Sequence, residues 1–233
     1  MFSEDPNIIQ LAPKIFHYPN FFNKEDLDLV DQIIASGEIQ EKQHPLEEKA
    51  EELGRDEINF RPTTESFALK PIWDKISEFL YPEYVIHPQL HLLKYGVGSF
   101  MEAHCDSPGE GHHDHLTIED SWKTCTMLSW GVCGYFGEWE GGEIYYPQHD
   151  VEVSVKAGDL VIHGALNDYM HGVKPITSGT RYVFSNFSLA ANKNPGTFPN
   201  YKTDEYYEAI KDLSKWNSVK KIDGLALLKS LIK

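Results

Sequence analysis

Two different spacings of apolar residues divide the chain. Near the start, the pieces IIQLAP and IFHYPNFF are apolar but broken by proline, which suits an edge strand. Beyond them Leu27, Val30, Ile33 and Ile34 fall on one helical face, because residues three and four apart lie together. Asn23 stands ahead of this stripe as a cap. Asp26 holds the reciprocal position three residues on, where Glu or Gln is usual, and Ser36-Gly37 ends the helix. A second amphipathic helix opens at Pro71, carries Ile72, Trp73, Ile76, Phe79 and Leu80, and stops at Tyr81-Pro82. Residues 41–57 between the helices are heavily charged and poor in apolar positions, which predicts a solvated loop or a short exposed helix.

From Tyr84 the pattern changes. Tyr84 to Lys94 reads as strand, and short β-branched and aromatic runs recur between Gln89 and Leu189: HLLKY, TCTMLSWGV, GGEIYYP, VEVSVKAGD, LVIHGAL, HGVKPI and RYVFSNFSL. So many strands separated by turns predict a sandwich or jelly-roll barrel, not alternating βαβ units, and a small barrel can hold one ligand. Thr177 to Thr180 reads as a glycine-containing turn, so that a strand starting at Arg181 turns Arg181, Val183, Ser185 and Phe187 inward. Helical spacing returns in the tail at Tyr206, Ile210 and Leu213, then at Leu225, Leu228 and Leu231, with Gly224 between. The expectation is one α+β, mainly β domain over 1–233: helical support over about 1–88, a β core over about 89–189 and a helical tail over about 203–233.

With 41% hydrophobic residues, including 12 Phe, 12 Tyr and 5 Trp, a sizeable core can form. Thirty-six acidic against 21 basic residues leave a net charge of −15, which argues against a nucleic-acid partner, because such binding rests on Lys and Arg. Cys105, Cys125 and Cys133 are odd in number and lack a CxxC pair, fitting a reducing, cytoplasmic setting. No apolar run approaches the roughly 20 residues of a membrane helix, and MFSEDPNIIQ does not read as a signal, so no membrane association is expected.

The chemistry concentrates in two segments. In YGVGSFMEAHCD, His104 and Asp106 are two apart and project to one face of a strand, with Cys105 pointing away. In HGVKPITSGTRY, His171 supplies a second imidazole from a distant strand, and Arg181 supplies a cation. Two histidines and one carboxylate occupy three positions on one face of Fe(II) and leave the rest open for cosubstrate and O2. Two rivals exist. His112, His113, Asp114 and His115 form a dense cluster, but in a polar, glycine-containing stretch that reads as a loop, which positions ligands poorly. His163 lacks the Pro, Gly and Arg that follow His171, and reads as a core or pocket-lining histidine.

These segments resemble the iron- and 2-oxoglutarate-dependent dioxygenases, specifically the prolyl 4-hydroxylase-like group. YGVGSFMEAHCD is similar to that family's Tyr-Gly-x-Gly and His-x-Asp segment, WEGGEIYYP to its Gly-Gly to Pro strand, and HGVKPITSGTR to its distal histidine followed by Pro, Gly and a basic residue. The resemblance covers roughly residues 89–189. It implies a double-stranded β-helix, the jelly-roll barrel, with supporting N-terminal and C-terminal helices. It also implies Fe(II) on His104, Asp106 and His171, no catalytic side chain beyond these ligands, and 2-oxoglutarate held at its far carboxylate by Arg181. A guanidinium suits that task, since it stays charged when buried and offers a planar fork. Tyr95 matches a tyrosine whose hydroxyl lies near the cosubstrate, with a core tyrosine as the alternative. Trp130 stands where some relatives place a tyrosine beside the distal carboxylate, and packing is its alternative. Met101 and Phe187 replace a tyrosine and a tryptophan of close relatives, which bears on pocket shape.

The implied reaction is hydroxylation of an unactivated C–H bond, on a prolyl residue or another side chain of a protein or peptide. It consumes O2 and 2-oxoglutarate and releases succinate and CO2, with ascorbate as a candidate accessory. Two alternatives stay open: a non-catalytic metal-binding jelly roll acting as sensor or structural module, and an oxygenase acting on a small molecule or nucleobase. Specificity is expected in the loops 37–70 and 107–122. Nothing in the sequence sets the oligomeric state.

Overall fold

The computed structural model describes residues 5–36, 41–42, 56–59, 66–81, 83–86, 90–106 and 129–190. In chain order these form β1 (Ile9–Ala12), β2 (Ile15–Tyr18), α1 (Lys24–Ser36), β3 (Glu41–Lys42), β4 (Asp56–Asn59), α2 (Lys70–Leu80), β5 (Tyr84–Ile86), β6 (His91–Tyr95) and β7 (Met101–His104). The remainder are β8 (Trp130–Gly141), β9 (Ile144–Tyr146), β10 (Val151–Val153), β11 (Leu160–Gly164), β12 (His171–Val173) and β13 (Ile176–Ala190).

The strands make two antiparallel sheets. The larger runs β1-β2-β11-β8-β13-β6-β4-β3, with β5 also on β13, and the smaller runs β10-β9-β12-β7. This is the mainly β jelly-roll architecture expected. Alternation along the long strands sorts the interior into two layers. Trp130, Val132, Phe136, Leu160, Ile162 and Phe184 face the helices and pack with Val30, Ile33, Ile72, Trp73 and Ile76. Tyr135, Val161 and Val183 turn the other way and pack with Ile144, Tyr146 and Val153 of the small sheet.

Both helices start and stop where their sequence dictates. The Asn23 Oδ1 accepts from the Asp26 N–H at 3.0 Å, and the Asn23 N–H donates back to Asp26 Oδ2 at 2.8 Å, so aspartate closes the reciprocal cap. Pro71 sits in the first turn of α2, and Tyr81 is already extended (φ −73°, ψ 145°), as Pro82 requires. Among the described residues, no helix is long and apolar enough to cross a membrane.

Several boundaries differ from the sequence reading. The ends of the charged 41–57 segment are strands, with β3 paired to β4 and β4 to β6 at the sheet edge. An edge strand draws its bonding from the backbone ladder, so its sequence need not carry the apolar alternation that marks a strand. Tyr84 to Lys94 is two strands. The turn expected at Thr177 to Thr180 is instead part of β13, which stays paired with β8 from Ser178 to Ser188 and has an irregularity only between Ile176 and Ser178. Strand β8 likewise continues to Gly141, well past the end of TCTMLSWGV. The His112–His115 cluster, Cys125, the 107–122 loop, most of the 37–70 loop and the tail helices lie outside the described residues.

Candidate metal and anion site

Strands β7 and β12 are neighbours in the small sheet, with His104 directly opposite His171. The regular strand ends at His104, and the chain bends at Asp106, which brings that carboxylate between the two rings. Asp106 Oδ1 lies 3.8 Å from His104 Nε2 and 3.7 Å from His171 Nε2. One potential ligand atom from each of the three residues falls within 4.8 Å of the others. Cys105 leaves this cluster, and its thiol donates to Asn167 Oδ1 at 3.0 Å.

The imidazoles are held in the tautomer a metal needs. His104 Nδ1 lies 2.9 Å from the Glu102 carbonyl, and His171 Nδ1 lies 3.1 Å from that of Tyr169. A carbonyl only accepts, so each Nδ1 carries the proton, and in the neutral ring Nε2 presents its lone pair toward Asp106. Burial pushes the His171 pKa down to about 4, against the Tyr169 carbonyl that raises it, so this ring is neutral at pH 7. The loop delivering His171 is stitched down as well. Gln148 Nε2 donates to the Asn167 carbonyl at 2.7 Å, the Met170 N–H donates to Gln148 Oε1 at 2.8 Å, and His149 stacks on Tyr169.

His163 faces the same cluster from β11 in the large sheet. It is buried, with Nδ1 3.8 Å from Asp106 Oδ2 and its ring centroid 4.0 Å from that of His171. Burial pushes its pKa well below 6.5, and the neighbouring His171 adds to this. It is therefore a pocket-lining histidine, as its sequence context suggests, but one in contact distance of the candidate ligands. Gly131, opposite His163 on β8, makes the space. A Cβ there would stand 2.5 Å from His163 Cε1 and closer still to Asp106 Oδ2.

The other end of the cavity is built by the large sheet. Arg181 is 1% exposed and sits between Tyr95 and Gly137 in register. Its Nη1 donates to the Gly142 carbonyl at 2.6 Å, while Nε has no hydrogen-bond partner. The guanidinium carbon lies 4.5 Å from the centre of the Tyr95 ring and 5.7 Å from that of Tyr135. Among the described residues no carboxylate pairs with it. Gly142, at φ +69°, admits the guanidinium, since a Cβ would approach Nη1 to 3.2 Å and collide with Ile176. This gives the Gly-Gly of WEGGEIYYP a physical purpose.

Between the two ends runs a cavity of about 250 Å³, lined among others by Leu93, Met101, Ile144, Val173, Val183 and Phe187. Register along β8 and β13 orders the wall from Tyr95 and Arg181, through Tyr135 and Val183, then Cys133 and Ser185, to Gly131 and Phe187 beside Asp106. The inward set expected from Arg181, Val183, Ser185 and Phe187 is thus present. Trp130 is not. It lies on the opposite face of β8, edge-on to Phe16 and Tyr84 in the helix-side core, so its packing alternative describes it. Tyr135 occupies the place beside Arg181 instead, and period two counted from Gly131 points to it. Burial pushes its phenol well above 10, and burial with the Asp106 charge pushes the Cys133 thiol up to about 12, so both keep their protons.

No family model and no curated protein matches the sequence. The solved structures do match. A prolyl hydroxylase from Trichoplax adhaerens, in complex with a hypoxia inducible factor oxygen degradation domain peptide, superposes with TM-score 0.57 at 15% identity, covering 78% of this chain and 86% of that one. A 2OG-Fe(II) oxygenase family oxidoreductase from Burkholderia pseudomallei gives 0.56 at 12%, covering 78% and 88%. A viral collagen prolyl hydroxylase from Paramecium Bursaria Chlorella virus-1, in its 2OG complex, gives 0.54 at 15%, covering 76% and 96%. The chain shares the fold of these oxygenases. The cavity's donor set fits the implied groups: two imidazoles and a carboxylate for a borderline metal, and a buried cation without a carboxylate partner among the described residues for an acid.

Proposed function

We propose that residues 1–233 form one Fe(II)- and 2-oxoglutarate-dependent dioxygenase domain that hydroxylates a C–H bond. The observation that carries this reading is the pairing, in one cavity, of the His104, Asp106 and His171 cluster with a buried Arg181 that has no carboxylate partner among the described residues. A metal-binding sensor or structural module would have no need of that second feature. A buried cation is costly to leave unpaired, so its persistence implies an anionic ligand.

His104, Asp106 and His171 would hold the iron, with the Glu102 and Tyr169 carbonyls fixing ring orientation. Arg181 would bind the far carboxylate of 2-oxoglutarate, steadied by the Tyr95 face and joined by the Tyr135 phenol. Leu93, Met101, Ile144, Val173 and Val183 would exclude water along the carbon chain of the cosubstrate. Bound together, iron and 2-oxoglutarate supply O2 activation and oxidative decarboxylation, giving succinate, CO2 and a hydroxylated product.

The substrate is read as a prolyl or other side chain of a protein or peptide. Two of the similar structures described above are prolyl hydroxylases, one holding a peptide, and the net charge of −15 disfavours a nucleobase in nucleic acid. The test is anaerobic addition of Fe(II) and then 2-oxoglutarate to apo-protein, followed by succinate release with proline-containing peptides. A charge-transfer band that needs both additions is expected. Iron binding without any 2-oxoglutarate binding would overturn the reading in favour of a non-catalytic barrel.

A further inference from the structure

The cavity contains a second unpartnered buried donor besides the Arg181 Nε, and the roles above leave it unused. Tyr146 is fully buried, lines the cavity, and its hydroxyl has no hydrogen-bond partner. A buried phenol without a partner is uncommon, since leaving a polar group unsatisfied costs about 1–3 kcal/mol. Its neighbour Tyr145, by contrast, is only half-buried and packs over Gly172.

Register locates the Tyr146 ring. On the small sheet Gly172 is opposite Tyr145, so His171 has Tyr146 on one side and His104 on the other. The Tyr146 ring centre is 6.0 Å from that of His171 and 5.7 Å from that of His163. Cys133 and Asp106 act on its phenol, which also interacts with that of Tyr135. The ring therefore stands beside His171 and His163 at the metal half of the cavity, whereas the unpartnered Arg181 nitrogen belongs to the other half.

We propose that the Tyr146 hydroxyl donates a hydrogen bond to the metal-chelating 2-oxo acid end of the cosubstrate, so that the two unpartnered donors grip opposite ends of one ligand. This rests on the 2-oxoglutarate reading and adds a specificity residue to it. A ligand must present an acceptor beside the metal to Tyr146 and a carboxylate to Arg181. Neither contact alone selects a five-carbon dicarboxylate.

The experiment is an anaerobic binding titration of the full-length protein loaded with Mn(II) or Fe(II), using 2-oxoglutarate and pyruvate, which keeps the 2-oxo acid end but lacks the far carboxylate. Tyr146→Phe should weaken both ligands by a similar factor of about ten, as loss of one hydrogen bond to a charged acceptor implies. It should also shift the charge-transfer band of the Fe(II) complex while leaving metal affinity unchanged. Arg181→Ala should weaken 2-oxoglutarate alone. Unchanged affinity for both ligands in Tyr146→Phe would overturn the proposal, as would a loss confined to 2-oxoglutarate, which would put the hydroxyl at the Arg181 end. Failure of the wild-type protein to bind 2-oxoglutarate at all would be a different result, overturning the underlying functional reading. A lowered melting temperature with lost metal affinity would show that Tyr146 acts only in packing, and also overturns it.

Discussion

The two ends of the cavity are built on opposite plans. At the metal end the ligands stand at strand termini or on a bend, His104 is half-buried, and orientation comes from backbone carbonyls and a stitched loop. At the anion end a fully buried arginine sits inside a continuous strand pair, between aromatic faces and against a glycine. The difference fits the proposed function: a metal that meets O2 and a substrate would need an open side, and an anchor for a small acid would gain strength from exclusion of water. The two candidate histidine ligands thus stand on the small sheet, and Arg181 stands on the large one.

Removing one residue at each end tests that division. Asp106→Ala should give the largest effect, a loss of metal affinity of roughly 10³-fold or more, because even partners behind metal ligands contribute 10–100-fold. Metal titration by calorimetry measures it. Arg181→Ala should leave metal affinity intact and weaken 2-oxoglutarate by about 10²-fold, the scale of a lost charge-assisted pair. Equal loss of metal affinity in both variants would mean that the ends are one unit.

A third test uses pH and the apo-protein. His171 has its pKa lowered to about 4 by burial, and that of His163 is lowered as well, while in the unfolded chain both sit near 6.5. Above pH 6.5 neither state binds the proton. As pH falls below that value the unfolded chain takes up protons that the folded chain refuses, so stability drops toward pH 4. For His171 the displacement corresponds to on the order of 3 kcal/mol. Melting temperatures of metal-free protein between pH 7 and pH 4 should fall, and His171→Phe should flatten the slope. An unchanged slope would place the titration elsewhere and leave the metal end without its buried, neutral character.

Both ends have residues legible in sequence: His104, Asp106 and His171 at one and Arg181 at the other lie in short runs whose spacing survives small errors in strand boundaries, and both helices announce themselves by capping residues and apolar stripes. The cavity wall did not read so easily. Gly131, Gly134 and Gly137 dilute the strand propensity of β8, which obscures its continuation past Val132, and with it Tyr135. Trp130 stands five residues from Tyr135, an odd displacement that carries a side chain to the other face of the sheet as well as along the strand. Tyr146 is one of two adjacent tyrosines on a three-residue strand, and its pairing with β12 decides which of them lies beside His171.

The smallest expected effect lies outside the cavity and checks that the comparison concerns its ends and not the scaffold. Asn23 caps α1 through Asp26, and the Asp26 carboxylate also pairs with Lys75 of α2, so this one junction orders the helical layer. Asn23→Ala should cost about 1 kcal/mol and lower the melting temperature by about 2–4 °C. Among the described residues the helices pack on the outward set of the large sheet, which includes Trp130, Val132, Phe136, Leu160, Ile162 and Phe184, whereas the cavity is lined by the alternating inward set of β8 and β13. Metal and 2-oxoglutarate affinities should therefore stay within about twofold of wild type, since sites without shared partners add independently. A selective loss of 2-oxoglutarate affinity in this variant would show that helix packing tunes the anion end through the sheet, and the division of labour would then run through the sheet as well as between its two ends.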